Sequence, residues 1–489
     1  MATAVHRIEE DAAIASPASP QVQAQWAAKP IASRLKVLRR ARHLLAPLGL
    51  QLADAIPSHL ARNRADSLVA EVLPLLAACK FLETEAAGIL KARKLGRRGL
   101  PFWLAGLQTT IERVPCGVVL IIAPANYPLF LPAVQTLQAL AAGNAVIWKP
   151  GQGGHCVAAL FARAMQEACL PDGLLRVTGE SVEAGKAELG LAPDKVVFTG
   201  SFDVGRAILQ VAAETATPVV TELSGCDAVV ALPSANADRV IDALAFGMRL
   251  NGSATCMAPR RLFLVGPKHV ALPRMLQERF EAMTGVKLQE AVRLKLLHLL
   301  DDAREHGATI CGDADANLCK PILVLGGRSE MALARADIFA PVLTVLQVQD
   351  EEDLIAADAA CPMGLTAAVF GDESAACRVG ARLKVGTVLV NDLIVPTADP
   401  RVSFGGRRNS GYGSTRGAEG LLEMTIPKVV AVRRSASRRH FAATTEAHES
   451  FFQAIIMATH ASTLVARVHA LRQFASAAKR VDKLDKLDS

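Results

Sequence analysis

The stretch GVVLIIAPAN (117–126), continued through PLFLPAVQTLQALAAG (128–143) into NAVIWKPG (144–151), decides the fold. Two short, nearly all-apolar runs rich in β-branched residues flank a segment whose apolar residues recur at helical spacing. A strand apolar on both faces must be covered on both, and an intervening helix makes successive strands parallel. The alternation continues in LLRVTG (174–179), KVVFTG (195–200), PVVTEL (218–223) and DAVVAL (227–232). The expected class is α/β, with a Rossmann-like parallel sheet.

A second series follows: RRLFLV (260–265), PILVLGG (321–327), PVLTVLQV (341–348), LTAAVFG (365–371) and GTVLVND (386–392). It is enough for a separate α/β domain. Before the first series, 21–95 carries apolar residues at helical intervals and reads as helical scaffold, as in SLVAEVLPLLAACKFLETEAAGIL (67–90). LQTTIERV (107–114) reads as a strand ahead of a Pro-Cys-Gly turn. Residues 1–20, rich in Ala, Ser and Pro, read as a loose arm. The terminal part, 434–489, reads as a charged linker and then an amphipathic helix over 451–480.

At 489 residues the chain exceeds one hydrophobic core. A net charge of +7 from 54 Lys and Arg against 47 Asp and Glu is a mild excess. No basic stripe is interleaved with aromatic residues, which argues against nucleic-acid binding. The ten cysteines have no C-x-x-C spacing and no zinc-like His partners, so no metal is expected. Free thiols and an N-terminus without a secretory pattern fit the cytoplasm, and nine of the cysteines read as small buried apolar residues. The uncharged run near 451–466 is shorter than the roughly 20 residues a membrane span needs. Its basic end allows weak attachment to a membrane surface, but docking on the same protein or a neighbouring subunit is the preferred reading.

Chemistry concentrates in TELSG (221–225) and NGSATC (251–256). A thiol attacking a carbonyl needs a donor for the oxyanion, and a thioester needs a base to activate water for its release. Cys256 and Glu222 supply the thiol and the carboxylate. Asn126 ends the first strand run and Lys149 the second, and FTGSFDVGR (198–206) opens a helix with a Gly-Ser turn suited to phosphate. DIFAPVL (337–343) and SFGGRRNSGYGSTRGAEGLLEMTIPKVV (403–430) complete the series.

In this order the motifs resemble the aldehyde dehydrogenase superfamily, over residues 20–432. The resemblance implies a cofactor domain (21–96 and 117–226), a catalytic domain (227–425), and oligomerisation strands (97–116 and 426–433) that make a homodimer or homotetramer. It implies that Cys256 attacks an aldehyde, Asn126 holds the oxyanion, hydride passes to NAD or NADP, and Glu222 activates the water that hydrolyses the thioester. Lys149 and Gln152 would meet the adenosine ribose, Gly200, Ser201 and Gly205 the pyrophosphate, Asp337 the nicotinamide ribose, Phe339 its ring, and Phe404 the substrate tunnel. Gln152 stands where the family often has a glutamate that disfavours a 2′-phosphate, so NAD and NADP both stay open. Ser253 and Ala254 replace the glycine and glutamine common before the cysteine, Asp337 a glutamate and Ala340 a glycine. The segment from Cys256 to Asp337 is shorter than in the family. The rival expectations are a relative that passes the acyl group to coenzyme A, which typically lacks the glutamate, and a scaffold that has kept only the fold.

Overall fold

A computed structural model describes residues 20–315, 318–434, 441 and 443–485. Most of the expected N-terminal arm lies outside them, and a helix, Pro20–Ala28, already begins at residue 20. The chain divides into two compact units: Met1–Arg93 with Thr110–Val430, and Lys94–Thr109 with Ala431–Ser489.

The larger unit holds two sheets. In chain order the first contains β1 (Val118–Ile122), β2 (Ala145–Lys149), β3 (Leu175–Val177), β4 (Lys195–Gly200) and β5 (Val219–Leu223). The second contains β6 (Asp227–Ala231), β7 (Pro259–Val265), β8 (Thr309–Cys311), β9 (Ile322–Leu325), β10 (Val342–Val348), β11 (Thr366–Phe370) and β12 (Thr387–Val390). A late two-residue strand, β13 (Gly411–Tyr412), returns to the edge of the first sheet. The spatial orders are β13-β5-β4-β1-β2-β3 and β8-β9-β10-β7-β6-β11-β12. All pairings are parallel except those of β13 with β5 and β8 with β9. This is the Rossmann-like and catalytic α/β architecture expected from the alternation.

Burial explains the apolar runs of β1. Val119 and Ile121 face a core with α1 (Phe130–Ala142), whereas Leu120 faces the opposite cluster with Val196, Phe198 and Leu223. Each fully buried Val or Ile contributes about 1.5–3 kcal/mol. Both faces are therefore selected for apolar residues, and the alternation of a half-exposed strand disappears. Because β1, β2, β4 and β5 are parallel, the chain leaves all four at one edge, the usual ligand edge of such sheets. Asn126, Lys149, Gly200 and Glu222 lie at or just beyond those ends.

The scaffold helix over 67–90 is not uniform. A π-helical turn, Leu68–Val72, interrupts Arg64–Ser67 and Leu73–Ile89. Such turns shift side chains out of the regular helical register, and here Glu71 ends fully buried.

Strands Arg93–Leu95, Leu107–Pro115 and Thr425–Arg433 form a separate three-stranded sheet in that order. Residues 97–106 of the expected first oligomerisation strand are not extended; they include a 3-10 turn, Phe102–Leu104. The expected helix over 451–480 is two helices, Glu446–His460 and Leu464–Asp485, in the smaller unit. The break falls where Ala461 turns extended and Thr463 Oγ1 accepts from Ala466 N, capping the second helix. Phe474 of that helix stacks on Phe451 at 5.1 Å and meets Phe102 edge-on at 6.4 Å. No helix among the described residues is long and apolar enough to cross a membrane. Nor do they contain a group of three or more His, Cys, Asp or Glu able to hold a metal ion. Of the nine cysteines expected to be buried, Cys79, Cys226, Cys319 and Cys361 are so; Cys116, Cys156 and Cys311 are half-buried and Cys169 and Cys377 exposed, a correction for five of them.

Candidate active site

Cys256 lies in the turn between α3 (Ala237–Arg249) and β7. Asn251, Gly252 and Ser253 hold φ values of +52°, +58° and +65°, three successive left-handed residues. Such a run suits glycine and asparagine, and a serine there needs outside support. Arg260 supplies it. Its Nη1 donates to Ser253 Oγ at 2.7 Å and to the Ala340 carbonyl at 2.7 Å, and its Nη2 to the Ser253 carbonyl at 2.6 Å. One buried guanidinium thus ties the cysteine turn to the 337–343 segment.

Asn126 approaches from the end of β1. Its Nδ2 donates to the Ala254 carbonyl at 2.9 Å, and the same oxygen accepts from Asn251 Nδ2 at 2.8 Å. Tyr127 Oη and Thr255 Oγ1 share a hydrogen bond of 3.0 Å. Arg62 closes the network: its Nε donates to Asn251 Oδ1 at 2.6 Å, its Nη2 to the Asn126 carbonyl, and its Nη1 to Glu71 Oε1 at 2.7 Å. Glu71 Oε2 accepts from the backbone N–H of Leu129 (3.2 Å) and Phe130 (2.7 Å), filling the vacant donors at the start of α1. Removing either member of this buried pair strands the other charge, at a cost of about 3–5 kcal/mol.

Glu222 is 2% exposed, on β5, paired with Thr199 on one side and Gly411 on the other. Its Oε2 accepts from Thr415 Oγ1 at 3.1 Å. Burial pushes its carboxyl above the usual range, partly opposed by the positive charge of Arg416 and by the Thr415 hydrogen bond. Burial likewise pushes the Cys256 thiol well up, reinforced by the charges of Glu222 and Asp227 and opposed by Arg416. The two groups are within electrostatic reach, and the thiol resists ionisation while Glu222 is charged. Gly225 closes the arrangement, since a Cβ there would lie 2.6 Å from the Cys256 carbonyl oxygen.

The remaining expected residues have the following surroundings. Asp337 sits beside Ser224 and Arg260, and its carboxyl is raised chiefly by burial. Its Oδ1 is buried without a partner, an acceptor suited to a ligand hydroxyl. Phe339 is half-buried between buried Ile338 and Ala340. Lys149 is half-buried against Gly185, and desolvation lowers its ammonium pKa while Glu180 opposes this. Gln152 is exposed in the following turn. Ser201 precedes α2 (Phe202–Glu214) with extended backbone and no side-chain cap. A Cβ on Gly205 would lie 2.6 Å from Leu223 Cδ2, so this glycine serves the close packing of α2 on the sheet. Phe404 is buried, exchanges two backbone hydrogen bonds of 2.7 Å with Thr415, and lies under the Arg416 guanidinium.

The aldehyde dehydrogenase family model matches residues 1–430. The chain belongs to that family. It is 33% identical over 420 residues to a probable coniferyl aldehyde dehydrogenase of Pseudomonas aeruginosa, covering 81% of this chain and 86% of the relative. It is 30% identical over 423 residues to a 4,4'-diapolycopene aldehyde oxidase of a Methylomonas species, covering 84% and 79%. Its fold matches the Mycobacterium tuberculosis aldehyde dehydrogenase complexed with NAD+ at a TM-score of 0.78, with 24% identity over 84% of this chain and 88% of that one. This aldehyde dehydrogenase therefore has the fold and reaction class its motif order implied. Sequence reading missed Arg62, Glu71, Thr415 and Arg416 around the site. Only Thr415 and Arg416 carried a signal, as members of the 403–430 motif already singled out.

Proposed function

We propose that the chain oxidises an aldehyde to a carboxylic acid with NAD or NADP through covalent chemistry on Cys256. The observation that carries this reading is the joint placement of three groups from distant parts of the chain. Asn126 bonds the cysteine turn, and Glu222 is near enough to act on the thiol's ionisation.

The Cys256 thiol gives its proton to solvent water, the thiolate sulfur bonds the aldehyde carbon, and the carbonyl oxygen becomes an oxyanion. Asn126 has a second amide N–H beyond the one given to Ala254, and with the Cys256 backbone N–H it can hold that oxyanion. A nicotinamide, when bound, would supply the acceptor for the hydride that leaves this carbon, and the group left on Cys256 would be a thioester. Glu222 takes a proton from water, the hydroxide adds to the thioester, and the C–S bond breaks to release the acid and restore the thiol. Burial raises the carboxyl of Glu222, which suits it to take a proton from water.

The residues present fit such a cofactor. Asp337 Oδ1 is an unpaired buried acceptor for a ribose hydroxyl, with Phe339 beside it for the nicotinamide ring. Gly200 and Ser201 open α2, whose N-terminus favours the pyrophosphate. Gly205 lets that helix sit close to the sheet, and Lys149 and Gln152 stand at the end of β2 for the adenosine ribose. Phe404 walls the substrate side. A cytoplasmic homodimer or homotetramer, paired through Thr425–Arg433, completes the reading; the exposure of that strand supports it.

A panel of aliphatic, aromatic and charged aldehydes, run with NAD and NADP and with or without coenzyme A, tests the proposal. Reduced cofactor and free acid should appear without coenzyme A, and both should vanish in Cys256→Ala. Turnover that persists in the alanine variant ends the nucleophile assignment. Dependence on coenzyme A shifts the reading to acyl transfer.

A further inference from the structure

Arg62 comes from the helical scaffold, in the short link between the 3-10 turn Ser58–Leu60 and the helix Arg64–Ser67. Ala61 just before it holds φ +52°, a left-handed backbone that alanine keeps only where its surroundings impose it. The Arg62 side chain is 3% exposed, and its guanidinium is engaged on every side. Nη1 donates to Glu71 Oε1, Nε to Asn251 Oδ1 and Nη2 to the Asn126 carbonyl. The Tyr127 ring centroid lies 4.7 Å from its Cζ.

Stability does not account for this arrangement, because a buried ion pair is seldom more stable than apolar side chains of the same volume. What the pair supplies is direction. With Nη1 held by Glu71, the planar fork has its other donors fixed in space. Arginine has no acceptor, so the Asn251 amide must turn its oxygen toward Nε. Its nitrogen then faces the Ala254 carbonyl at 2.8 Å and the Asn126 carbonyl at 3.2 Å. That Ala254 carbonyl is the one that holds the Asn126 side chain. Asn126 is therefore tied to Arg62 twice, directly through its backbone and indirectly through Asn251 and Ala254. The cysteine turn has separate support, from Arg260 on Ser253 and from the Ala254 N–H on the Asn251 carbonyl at 2.9 Å.

Resting on the reading of Cys256 and Asn126 above, we propose that Arg62 is a positioning residue that aims the free amide N–H of Asn126 at the oxyanion. It acts on addition to the carbonyl and not on the reactivity of the thiol. Without Arg62 the Asn251 amide loses the partner that fixes its orientation, and the Asn126 backbone loses one of its two side-chain donors. An amide that must reorganise as charge develops stabilises that charge less. A lysine ammonium is a single point of charge and does not reproduce three donors set in one plane.

Two reactions of Cys256 on the full chain separate these roles, and neither needs a nicotinamide. In acylation by 4-nitrophenyl acetate the thiolate adds to the ester carbon, an oxyanion forms, and 4-nitrophenolate leaves. In alkylation by iodoacetamide the thiolate displaces iodide at a saturated carbon, and no oxyanion forms. Absorbance of 4-nitrophenolate, less the rate left in Cys256→Ala, reads the first; mass spectrometry of the peptide carrying Cys256 reads the second. Arg62→Met should slow acylation about tenfold or more and leave alkylation within about twofold of wild type. Arg62→Lys should recover only part of the loss. In Asn126→Ala, adding Arg62→Met should change acylation less than about twofold, because the group it aims is gone. Arg62→Met combined with Glu71→Gln removes both charges and keeps an oxygen for the start of α1, and it carries the same test if the single variant fails to fold. Equal slowing of acylation and alkylation, or the same factor lost with and without Asn126, overturns the proposal and leaves Arg62 as a support of the fold. Acylation that falls in Asn126→Ala but in neither Arg62 variant also overturns it, while the reading of Cys256 and Asn126 stands. Acylation indifferent to Asn126→Ala, or undiminished in Cys256→Ala, overturns that reading and the proposal with it.

Discussion

Asn126 donates its side-chain amide to the Ala254 carbonyl at 2.9 Å, joining the end of β1 to the turn that holds Cys256. The two residues are 128 positions apart in sequence. The bond fixes the amide so that its remaining N–H needs no reorganisation when charge develops nearby. Replacing Asn126 by Ala should lower kcat about 100- to 1,000-fold, as loss of one oxyanion donor does elsewhere. Cofactor affinity should change little. Stopped-flow absorbance of the reduced cofactor measures the first, and fluorescence titration the second.

Glu222 acts in the proposal after the hydride has left. Glu222→Gln should keep a rapid first turnover and slow the steady state by about 100-fold or more. A pre-steady-state burst near one equivalent per active site is the expected trace. A variant that loses burst and steady state together places the carboxylate in the first step.

Burial raises both the thiol of Cys256 and the carboxyl of Glu222. The reactive forms, thiolate and carboxylate, are therefore both lost as pH falls, and activity should climb from acid through neutral into alkaline solution. The burst rate should rise close to tenfold per pH unit below the thiol's raised pKa, and the Glu222→Gln burst should keep that slope. For stability the sign is opposite: a raised folded pKa favours the protonated state, so this contribution is complete at low pH and lost as pH rises through the raised values. Rates and denaturant midpoints over the same pH series should move in opposite directions.

Gly225 packs against the Cys256 carbonyl oxygen, which a Cβ would approach to 2.6 Å. A backbone atom cannot turn aside as a flexible side chain can. Gly225→Ala should displace the cysteine turn and cost about 100-fold in kcat/KM. The fold should survive, as circular dichroism and cofactor binding would report.

The strand-helix alternation was legible because burial on both faces leaves a long apolar signature, and every run quoted from the sequence forms a strand. The break at Ala461 and the π turn at Leu68–Val72 were not legible, since each is a local backbone choice within a segment of unbroken helical pattern. Around the site, the chemistry-bearing types stood out where they ended strands or sat in glycine-rich turns. Arg62 and Glu71 lay inside a helical scaffold and resembled any solvated pair.

By itself the sequence determined the α/β class, the order of the motifs and the residue types able to carry a thioester reaction, because these depend on local pattern and composition. Only the tertiary structure decided that Arg62 bridges Asn126, Asn251 and Glu71, and that Arg416 lies buried between two rings within electrostatic reach of Glu222. Those facts depend on which distant segments meet and how much water is excluded between them. Neither is encoded at any single spacing along the chain.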